Sequence, residues 1–165
     1  MVIVTKKAEI EALLRAMEPR LRGLALRCLG RAADVDDLIQ EVSVRALAGA
    51  EGFRGEADRM TWVFRIATNV IADWLRSPFR KRRRPLVDQP DPRGGPAEHA
   101  ARREDRDRVR RAVLALTADQ RIILFLREYE GLRYREIAAI LGIPMGTVES
   151  RLHAARQRVA RELGL

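Results

Sequence analysis

Cysteine and histidine are scarce in this chain, and their scarcity limits the chemistry that it can perform. The 165 residues include two histidines, His99 and His153, and one cysteine, Cys28, whose apolar run LALRCL favours a core position over a redox role. A single cysteine excludes an intrachain disulfide framework and a cysteine-rich zinc site. Few groups then remain to act as a nucleophile, a general base or a metal ligand. We therefore predict no catalytic residues, no enzyme activity, no metal and no cofactor.

Long apolar runs and strand patterns are also missing. No window of about 20 apolar residues exists, so the sequence offers no membrane-spanning segment. The amino-terminal segment MVIVTKKAEIEALL lacks the order of charged region, apolar core and cleavage site that marks a signal peptide. Apolar residues recur with a period near 3.6 rather than 2. These patterns predict an all-α protein of the cytoplasm that does not insert into membranes.

Basic residues, in contrast, are in excess. The chain has 32 Lys and Arg residues against 23 Asp and Glu residues, for a formal net charge of +9. Residues 1–76 are nearly balanced, with 12 basic and 11 acidic groups, so the excess lies in the remainder of the chain. Such an excess is typical of proteins that bind a polyanion such as nucleic acid.

Residues 77–104 interrupt the helical periodicity. This segment holds five of the seven prolines and the glycine pair at 94–95. It cannot bury enough apolar surface to fold alone, which predicts a flexible, basic, Pro-rich linker. The sequence therefore predicts two small helical domains, at residues 1–76 and 105–165, joined by that linker.

The periodicity predicts five helices besides the hairpin described below. They span residues 6–29, 34–48, 60–76, 105–115 and 118–130. Pro19 predicts a break or a new first turn within the first helix. Asp34 is suited to cap the second helix. Thr117 and Gln120 have the spacing of a capping box, and Gly131 is suited to end the last helix.

Residues 134–161, YREIAAILGIPMGTVESRLHAARQRVAR, predict two helices joined by a tight turn. Gly142 permits a positive φ at the turn, and Pro144 suits the entrance of the second helix. The second helix carries an apolar stripe formed by Val148, Leu152, Ala155 and Val159. This pattern is typical of the helix-turn-helix that places a helix in the DNA major groove. The alternative is an ordinary helical hairpin with a solvated basic face.

An acidic helix is predicted around ADVDDLIQEV, residues 33–42. Acidic residues in a first helical turn are favoured by the helix dipole, which accounts for Asp34, Asp36 and Asp37. Glu41 lies beyond that turn, one turn from Asp37, where like charges repel. The hypothesis is a helix face that meets a basic partner surface.

The segment FRGEADRMTWVFRIATNVIADWLR, residues 53–76, combines aromatic and basic residues. Trp62, Ile66, Val70 and Trp74 recur at helical spacing and are expected in the core. The residues then free to stack on or bond an unpaired base are Phe53, Arg54, Arg59 and Asn69. A basic run at 80–84, RKRRR, is suited to phosphate groups.

Four motifs in this order, DDLIQE, FRGEA…TWVFRIATN, the Pro-rich linker and GTVESRLHAAR, resemble a bacterial sigma factor of the two-domain extracytoplasmic-function (ECF) group. The resemblance covers nearly the whole chain apart from the linker. It implies that the N-terminal domain binds core RNA polymerase and opens the −10 promoter element. It also implies that the C-terminal domain binds the −35 element. The implied partners are core RNA polymerase, promoter DNA and an anti-sigma factor.

The resemblance implies three groups of site residues. The core-polymerase contacts are Asp37, Leu38, Gln40 and Glu41. The contacts to the −10 element are Phe53, Arg54, Arg59, Asn69 and Arg76. The contacts to the −35 element are Tyr134, Thr147, Glu149, Ser150, Arg151, His153 and Arg156.

Two positions depart from the family pattern. Many relatives carry a basic residue where this chain has Glu149, and an arginine where it has Ala154. The −35 preference is therefore expected to differ from that of many relatives. Glu149 either complements the dipole of the second hairpin helix or accepts a hydrogen bond from the N4 amino group of a cytosine.

Two rival functions explain less of the sequence. A stand-alone helix-turn-helix repressor or activator needs a dimer seam, and the chain has no sustained heptad repeat. It also leaves the acidic helix and the aromatic loop without a role. A nucleic-acid enzyme could hold magnesium with Asp34, Asp36 and Asp37, but adjacent acids on a helix point in different directions.

Overall fold

A computed structural model describes residues 5–55, 58–77 and 96–165, with side chains from residue 104 onward in the last range. These residues form seven α-helices and no strand, which confirms the all-α prediction. The helices are α1 (Lys6–Leu29), α2 (Val35–Gly49), α3 (Arg59–Arg76), α4 (Pro96–Leu114), α5 (Ala118–Glu128), α6 (Tyr134–Leu141) and α7 (Met145–Leu163). We call α1–α3 the N-terminal half and α4–α7 the C-terminal half.

Helix α1 continues through Pro19 without the predicted break. Its start is capped by Thr5, whose hydroxyl accepts a hydrogen bond from the Ala8 N–H at 3.3 Å. A proline inside a helix removes one backbone hydrogen bond. Leu21 and Leu24, just beyond the proline, are buried, so tertiary packing favours a continuous helix across it.

The predicted helix cap at Asp34 is wrong. The chain enters α2 through a 3-10 turn at Ala32–Asp34, so Asp34 has helical dihedrals (φ −95°, ψ −7°) rather than the extended ones of a cap. Its carboxylate pairs instead with the Arg31 guanidinium at 3.0 Å. Helix α3, in contrast, has a side-chain cap that the sequence analysis missed. Asp58 accepts hydrogen bonds from the Met60 and Thr61 N–H groups.

Helix α4 begins at Pro96, whereas the sequence analysis placed the end of the linker at residue 104. Proline suits the first turn of a helix, and the residues that follow are mostly the good helix formers Ala, Glu and Arg. The glycine pair and all the prolines of the segment lie at or before the first residue of this helix, so its residues 97–104 lack the features on which the linker prediction rested. The predicted basic run at 80–84 and the side chain of His99 lie outside the described residues.

Most local signals of the C-terminal half are confirmed, but α5 ends at Glu128 and not at Gly131, which adopts its positive φ of 65° in the following loop. Thr117 and Gln120 form the predicted capping box, with reciprocal bonds of 3.3 and 3.1 Å. Gly142 ends α6 in the left-handed conformation (φ +65°), and Pro144 precedes α7. Three of the four stripe residues of α7, all except Val159, are buried. The predicted helix-turn-helix geometry is therefore present.

The two halves are packed against each other. Helices α1 and α3 of the N-terminal half contact α5 and α6 of the C-terminal half. Buried side chains from both halves form one continuous apolar cluster. The two halves therefore share one core in this closed arrangement.

Candidate nucleic-acid and protein interfaces

The predicted polymerase-binding residues of α2 divide between surface and core. Asp37 and Gln40 are exposed, whereas Leu38 has no exposed surface at all. Leu38 therefore anchors α2 and cannot touch a partner in this structure. Val44 is 67% exposed one turn beyond Gln40, an unusual state for a valine. The sequence analysis missed Val44, although its spacing from Asp37 and Gln40 places it on the same face.

Glu41 is not the unneutralised charge that the sequence analysis assumed. Its Oε2 accepts a hydrogen bond from Trp74 Nε1 at 2.5 Å, and its Oε1 lies 2.6 Å from the Arg45 guanidinium. Arg45 also pairs with Asp73 of α3 at 3.3 Å. The argument from repulsion with Asp37 is therefore wrong, because Arg45 compensates Glu41 from one turn further along.

A small cavity lies beside the loop that precedes α3. It has a volume of about 230 Å³ and is lined by residues of α1 and of the loop, among them Lys6, Phe53, Arg54 and Arg59. The Phe53 ring is tilted against Trp62 with centroids 5.2 Å apart. The structure thus brings together three of the residues predicted to hold an unpaired base.

The basic side chains around this cavity differ in whether another group of the protein already binds them. Arg54 is exposed, whereas Arg59 pairs with Glu9 of α1 at 2.6 Å. Lys6 donates a hydrogen bond to the Phe53 carbonyl at 3.3 Å. Lys6 was missed because it lies 47 residues from Phe53, and no sequence pattern links the two.

Asn69 and Arg76 lie apart from the cavity, further along α3. Asn69 is exposed. The Arg76 guanidinium lies 3.3 Å from Asp119 of α5, in the other half of the molecule. The predicted −10 contacts thus form one group around the cavity and a second further along α3.

Helix α7 presents its predicted DNA contacts on the side opposite its buried stripe. Glu149, Ser150 and His153 are exposed, and Thr147 is half-buried at the start of the helix. The Ser150 hydroxyl donates to the Thr147 carbonyl at 3.2 Å, so its oxygen still faces solvent as an acceptor. Gln157 is exposed at helical spacing from Ser150 and His153 and was missed in the sequence.

Two of the four arginines of α7, and Tyr134, already have partners within the protein. Arg151 lies 3.4 Å from Asp119, and Arg156 makes hydrogen bonds of 3.0 and 2.6 Å to Glu128. The hydrogen bonds that Arg156 donates to Glu128 raise the pKa of Arg156 above its ordinary value. The half-buried Tyr134 ring lies 5.4 Å from the Arg127 guanidinium. Arg151 and Arg156 therefore exchange an acidic partner for DNA if they bind phosphate.

Glu149 is the fifth residue of α7, since the helix begins at Met145, and the first turn contains no acidic residue. The helix-dipole explanation of this charge therefore fails, because the dipole acts mainly within the first turn. Glu149 makes no hydrogen bond or ion pair within the described parts of the chain. Its carboxylate is left on an exposed face that is otherwise basic.

Comparison with known proteins shows what class of protein these surfaces belong to. The family model Sigma-70 region 2 matches residues 13–83, and the family model Sigma-70, region 4 matches residues 106–159. The ECF RNA polymerase sigma-E factor of Escherichia coli K12 is 34% identical over 137 residues, covering 76% of this chain and 72% of that protein. The RNA polymerase sigma-H factor of Pseudomonas aeruginosa is 30% identical over 168 residues, covering 95% and 87%.

Solved structures show the same fold. The sigma factor RpoE, in complex with the anti-sigma factor NepR from Bartonella quintana, matches with a TM-score of 0.74 at 24% identity, covering 95% of this chain and 98% of that one. CnrH, in complex with the cytosolic domain of CnrY, matches with a TM-score of 0.69 at 26% identity, covering 94% and 87%.

Two sigma-70 regions in one chain define an RNA polymerase sigma factor. More narrowly, the chain belongs to the ECF group of sigma factors. Its function is accordingly to direct promoter recognition and the initiation of transcription.

The described residues offer neither a membrane-spanning helix nor a metal-binding cluster. Among the described helices, none is long and apolar enough to cross a bilayer. No group of three or more His, Cys, Asp or Glu side chains within residues 5–55, 58–77 and 104–165 is arranged to hold a metal ion.

Proposed function

We propose that this sigma factor divides its work between two domains, residues 1–76 and 105–165, with the linker between them. The main support for this division is that the candidate binding surfaces belong to different halves of the chain. The acidic face of α2 and the cavity beside Phe53 belong to the N-terminal half, and the outer face of α7 belongs to the C-terminal half. The protein is a regulatory subunit, so it catalyses no reaction itself.

The polymerase contact is the acidic face of α2. Asp37 and Gln40 are its exposed polar groups, and Val44 adds an apolar surface on the same face. Glu41 contributes through the edge of its carboxylate, since Trp74 and Arg45 fix its orientation. Leu38 contributes indirectly, because its buried side chain anchors α2 in the core.

The −10 contact is the cavity and loop at Phe53, Arg54 and Arg59, extended by Asn69 and Arg76 on α3. An aromatic ring beside guanidinium groups can stack on an unpaired base. This stacking tolerates any base, because every base has a π-face. Arg59 exchanges Glu9 for a phosphate when DNA arrives, since both partners offer it an oxygen anion.

The −35 contact is the outer face of α7, with Tyr134 at the start of α6. Arg151 and Arg156 suit phosphate groups or guanine, while Ser150, Glu149 and Gln157 can bond to base edges. Thr147 and His153 complete this face. An acidic residue in a major-groove helix accepts from the cytosine N4 amino group, which points to a C·G pair opposite Glu149.

The protein is proposed to act in the cytoplasm, where it meets polymerase and DNA. RpoE, which shares its fold, is described in complex with the anti-sigma factor NepR, and CnrH with the cytosolic domain of CnrY. We extend that kind of partner to this chain.

The test is reconstitution of transcription with purified core RNA polymerase and genomic DNA. The chain should produce a defined set of transcripts that core polymerase alone does not. The double variant Asp37→Lys/Gln40→Lys should bind core about tenfold more weakly, a loss of ~1.4 kcal/mol. Glu162→Lys is the control, because it reverses one exposed charge on α7, far along the chain from α2.

Two results would contradict this proposal. One is unchanged binding to core by the α2 double variant with normal helicity. The other is tight, sequence-specific binding of the protein to duplex DNA without polymerase, which would favour the stand-alone repressor.

A further inference from the structure

The cavity beside Phe53 contains one carboxylate among its described lining residues, that of Glu9 in the first turn of α1. The helix dipole favours an acidic residue in this turn, but it does not require that residue to line a cavity. The Glu9 side chain is 35% exposed, and its Oε2 lies 2.6 Å from the Arg59 guanidinium. A negative group therefore lies among the cations assigned to the −10 element.

The carboxylate of Glu9 retains acceptor capacity. Within residues 5–55, 58–77 and 104–165, Arg59 is the only group that binds this carboxylate, and it does so through Oε2. Oε1 therefore keeps its capacity to accept a hydrogen bond. When Arg59 exchanges Glu9 for a phosphate, as proposed above, Oε2 is released as well.

No other described side chain that lines the cavity can replace Glu9 as an acceptor. Lys6, Arg54 and Arg59 carry donors only, and the remaining lining residues are apolar or glycine. The Phe53 carbonyl, a backbone acceptor of the loop, already accepts a hydrogen bond from Lys6. A ligand that offers N–H donors in this cavity therefore depends on Glu9 to satisfy them.

The four DNA bases differ in the donors that they can offer to a carboxylate. Cytosine, adenine and guanine each carry an exocyclic amino group, whereas thymine carries carbonyl oxygens in its place. A base that is turned out of the stack is read through hydrogen bonds to its Watson–Crick edge. An ionised carboxylate only accepts hydrogen bonds, so the carbonyl oxygens on both sides of the thymine ring N–H repel it.

We propose that Glu9 selects the unpaired base that the cavity holds, in favour of the amino-bearing bases and against thymine. Phe53 supplies a stacking surface that tolerates any base, and the cations suit phosphate or carbonyl oxygens. Selection at this site then comes from α1 rather than from the loop that precedes α3. The inference rests on the proposed −10 function of the cavity.

Binding of the reconstituted holoenzyme to promoter DNA with a premelted −10 region tests this selection. A promoter identified by transcription from genomic DNA provides the sequence, and fluorescence anisotropy gives the dissociation constant. Each unpaired base of the premelted region, on either strand, is first replaced by an abasic site. The position held in the cavity is the one at which Phe53→Ala no longer weakens binding once the base is absent.

Two matched bases are then compared at that position. 5-Methylcytosine and thymine have the same ring size and the same methyl group, but only the first has an amino group. Wild type should bind the 5-methylcytosine template about fivefold more tightly or better, because hydrogen bonds to a charged group are the stronger ones. Glu9→Gln should reduce this ratio below about twofold, because the glutamine amide can also donate to a thymine carbonyl.

The ratio between the two templates separates base selection from charge and from folding. Glu51→Gln is the control, since Glu51 is exposed in the loop after α2 and makes no hydrogen bond or ion pair within the described ranges. It removes the same charge and should keep the wild-type ratio. Glu9→Gln should fold normally, because a salt bridge between two partly exposed side chains contributes little stability.

Equal affinity of wild type for the two templates would overturn the inference and leave the proposed −10 function intact. A wild-type ratio in Glu9→Gln would overturn it too, since Glu9 would then serve only as a partner of Arg59. If no unpaired position depends on Phe53, the proposed −10 function of the cavity is contradicted, and the inference with it.

Discussion

The indole of Trp74 donates a hydrogen bond to the carboxylate of Glu41 at 2.5 Å, which joins α3 to the acidic face of α2. Trp74 is almost completely buried, whereas Glu41 lies at the edge of the surface assigned to polymerase. A core residue of one helix thus fixes the orientation of a binding residue on another. Hydrogen bonds to charged groups contribute more to stability than neutral ones.

Trp74→Phe should destabilise the N-terminal half by about 1–3 kcal/mol and weaken core polymerase binding, because Glu41 loses its fixed orientation. Urea unfolding and a core-binding titration measure the two effects. Trp62→Phe is the matched control, since the Trp62 ring packs on Phe53 but makes no hydrogen bond in the described structure. Equal losses in the two variants would show that the Glu41 bond has no role of its own.

Phe53→Ala should slow strand opening on a duplex promoter more than transcription from a template with a premelted bubble. The reason is that stacking on an unpaired base, about 1–3 kcal/mol per base, contributes mainly when the strands must separate. Permanganate footprinting and run-off transcription measure the two steps. Val109→Ala, which shortens an exposed apolar side chain of α4, is the control. Equal loss on both templates would mean that Phe53 only fills space beside Trp62.

Free protein should bind duplex DNA weakly, with a shallow dependence on salt. Arg151 and Arg156 are paired with Asp119 and Glu128, so few phosphates can be neutralised. Each neutralised phosphate contributes about −0.9 to the slope of log K against log salt, so we expect a slope of only a few units. Fluorescence anisotropy across a salt series gives this slope. A slope as steep as about −10 would contradict the prediction.

Glu149→Gln should relax base preference at one −35 position and leave stability within ~0.5 kcal/mol, because the side chain is exposed beyond the first turn of α7. The amide can donate as well as accept, so it no longer favours cytosine alone. Selection of −35 variants with the reconstituted polymerase measures the preference. Glu162→Gln, on the same helix, should leave it unchanged. An identical preferred sequence for Glu149→Gln would exclude base readout by this residue.

Cys28 should make stability depend on pH in the alkaline range. Burial raises the pKa of its thiol from 9.0 in the exposed state to about 12, so the unfolded chain loses this proton first. The contribution of the neutral Cys28 thiol to the free energy of unfolding is fully present below pH 9 and is lost as the pH rises towards 12. The stability advantage of wild type over Cys28→Ala should therefore narrow between pH 8 and 10.5. Denaturant unfolding at the two pH values measures it, and a constant difference would count against a buried neutral thiol.

The parts of the fold that sequence predicted are those with local signals. Thr117 and Gln120 are three residues apart, and Gly142 and Pro144 frame a single turn, so neighbouring residues alone determine these features. Helix periodicity was equally informative for α1 and α7, where one face is buried and the other exposed.

The features that sequence did not predict depend on distant partners or on local competition. Trp74 lies 33 residues from Glu41 and Arg121 lies 93 residues from Cys28, and neither pair has a sequence signature. Asp34 was assigned to a cap because its residue type favours one, but Arg31 competes for the same carboxylate. The residue type determines which interactions a side chain can make. The residues packed around it in the fold determine which of these interactions forms.

Gly30 ends α1 at the point where this helix contacts the C-terminal half. It has a left-handed φ of +70°, and a methyl group added there would approach Leu114 of α4 to 2.8 Å. Any side chain at this position therefore strains the end of α1 and forces the Leu114 side chain to move, beside the carbonyl to which Arg110 donates. The fit between the end of α1 and α4 thus depends on the absence of a single carbon atom at residue 30.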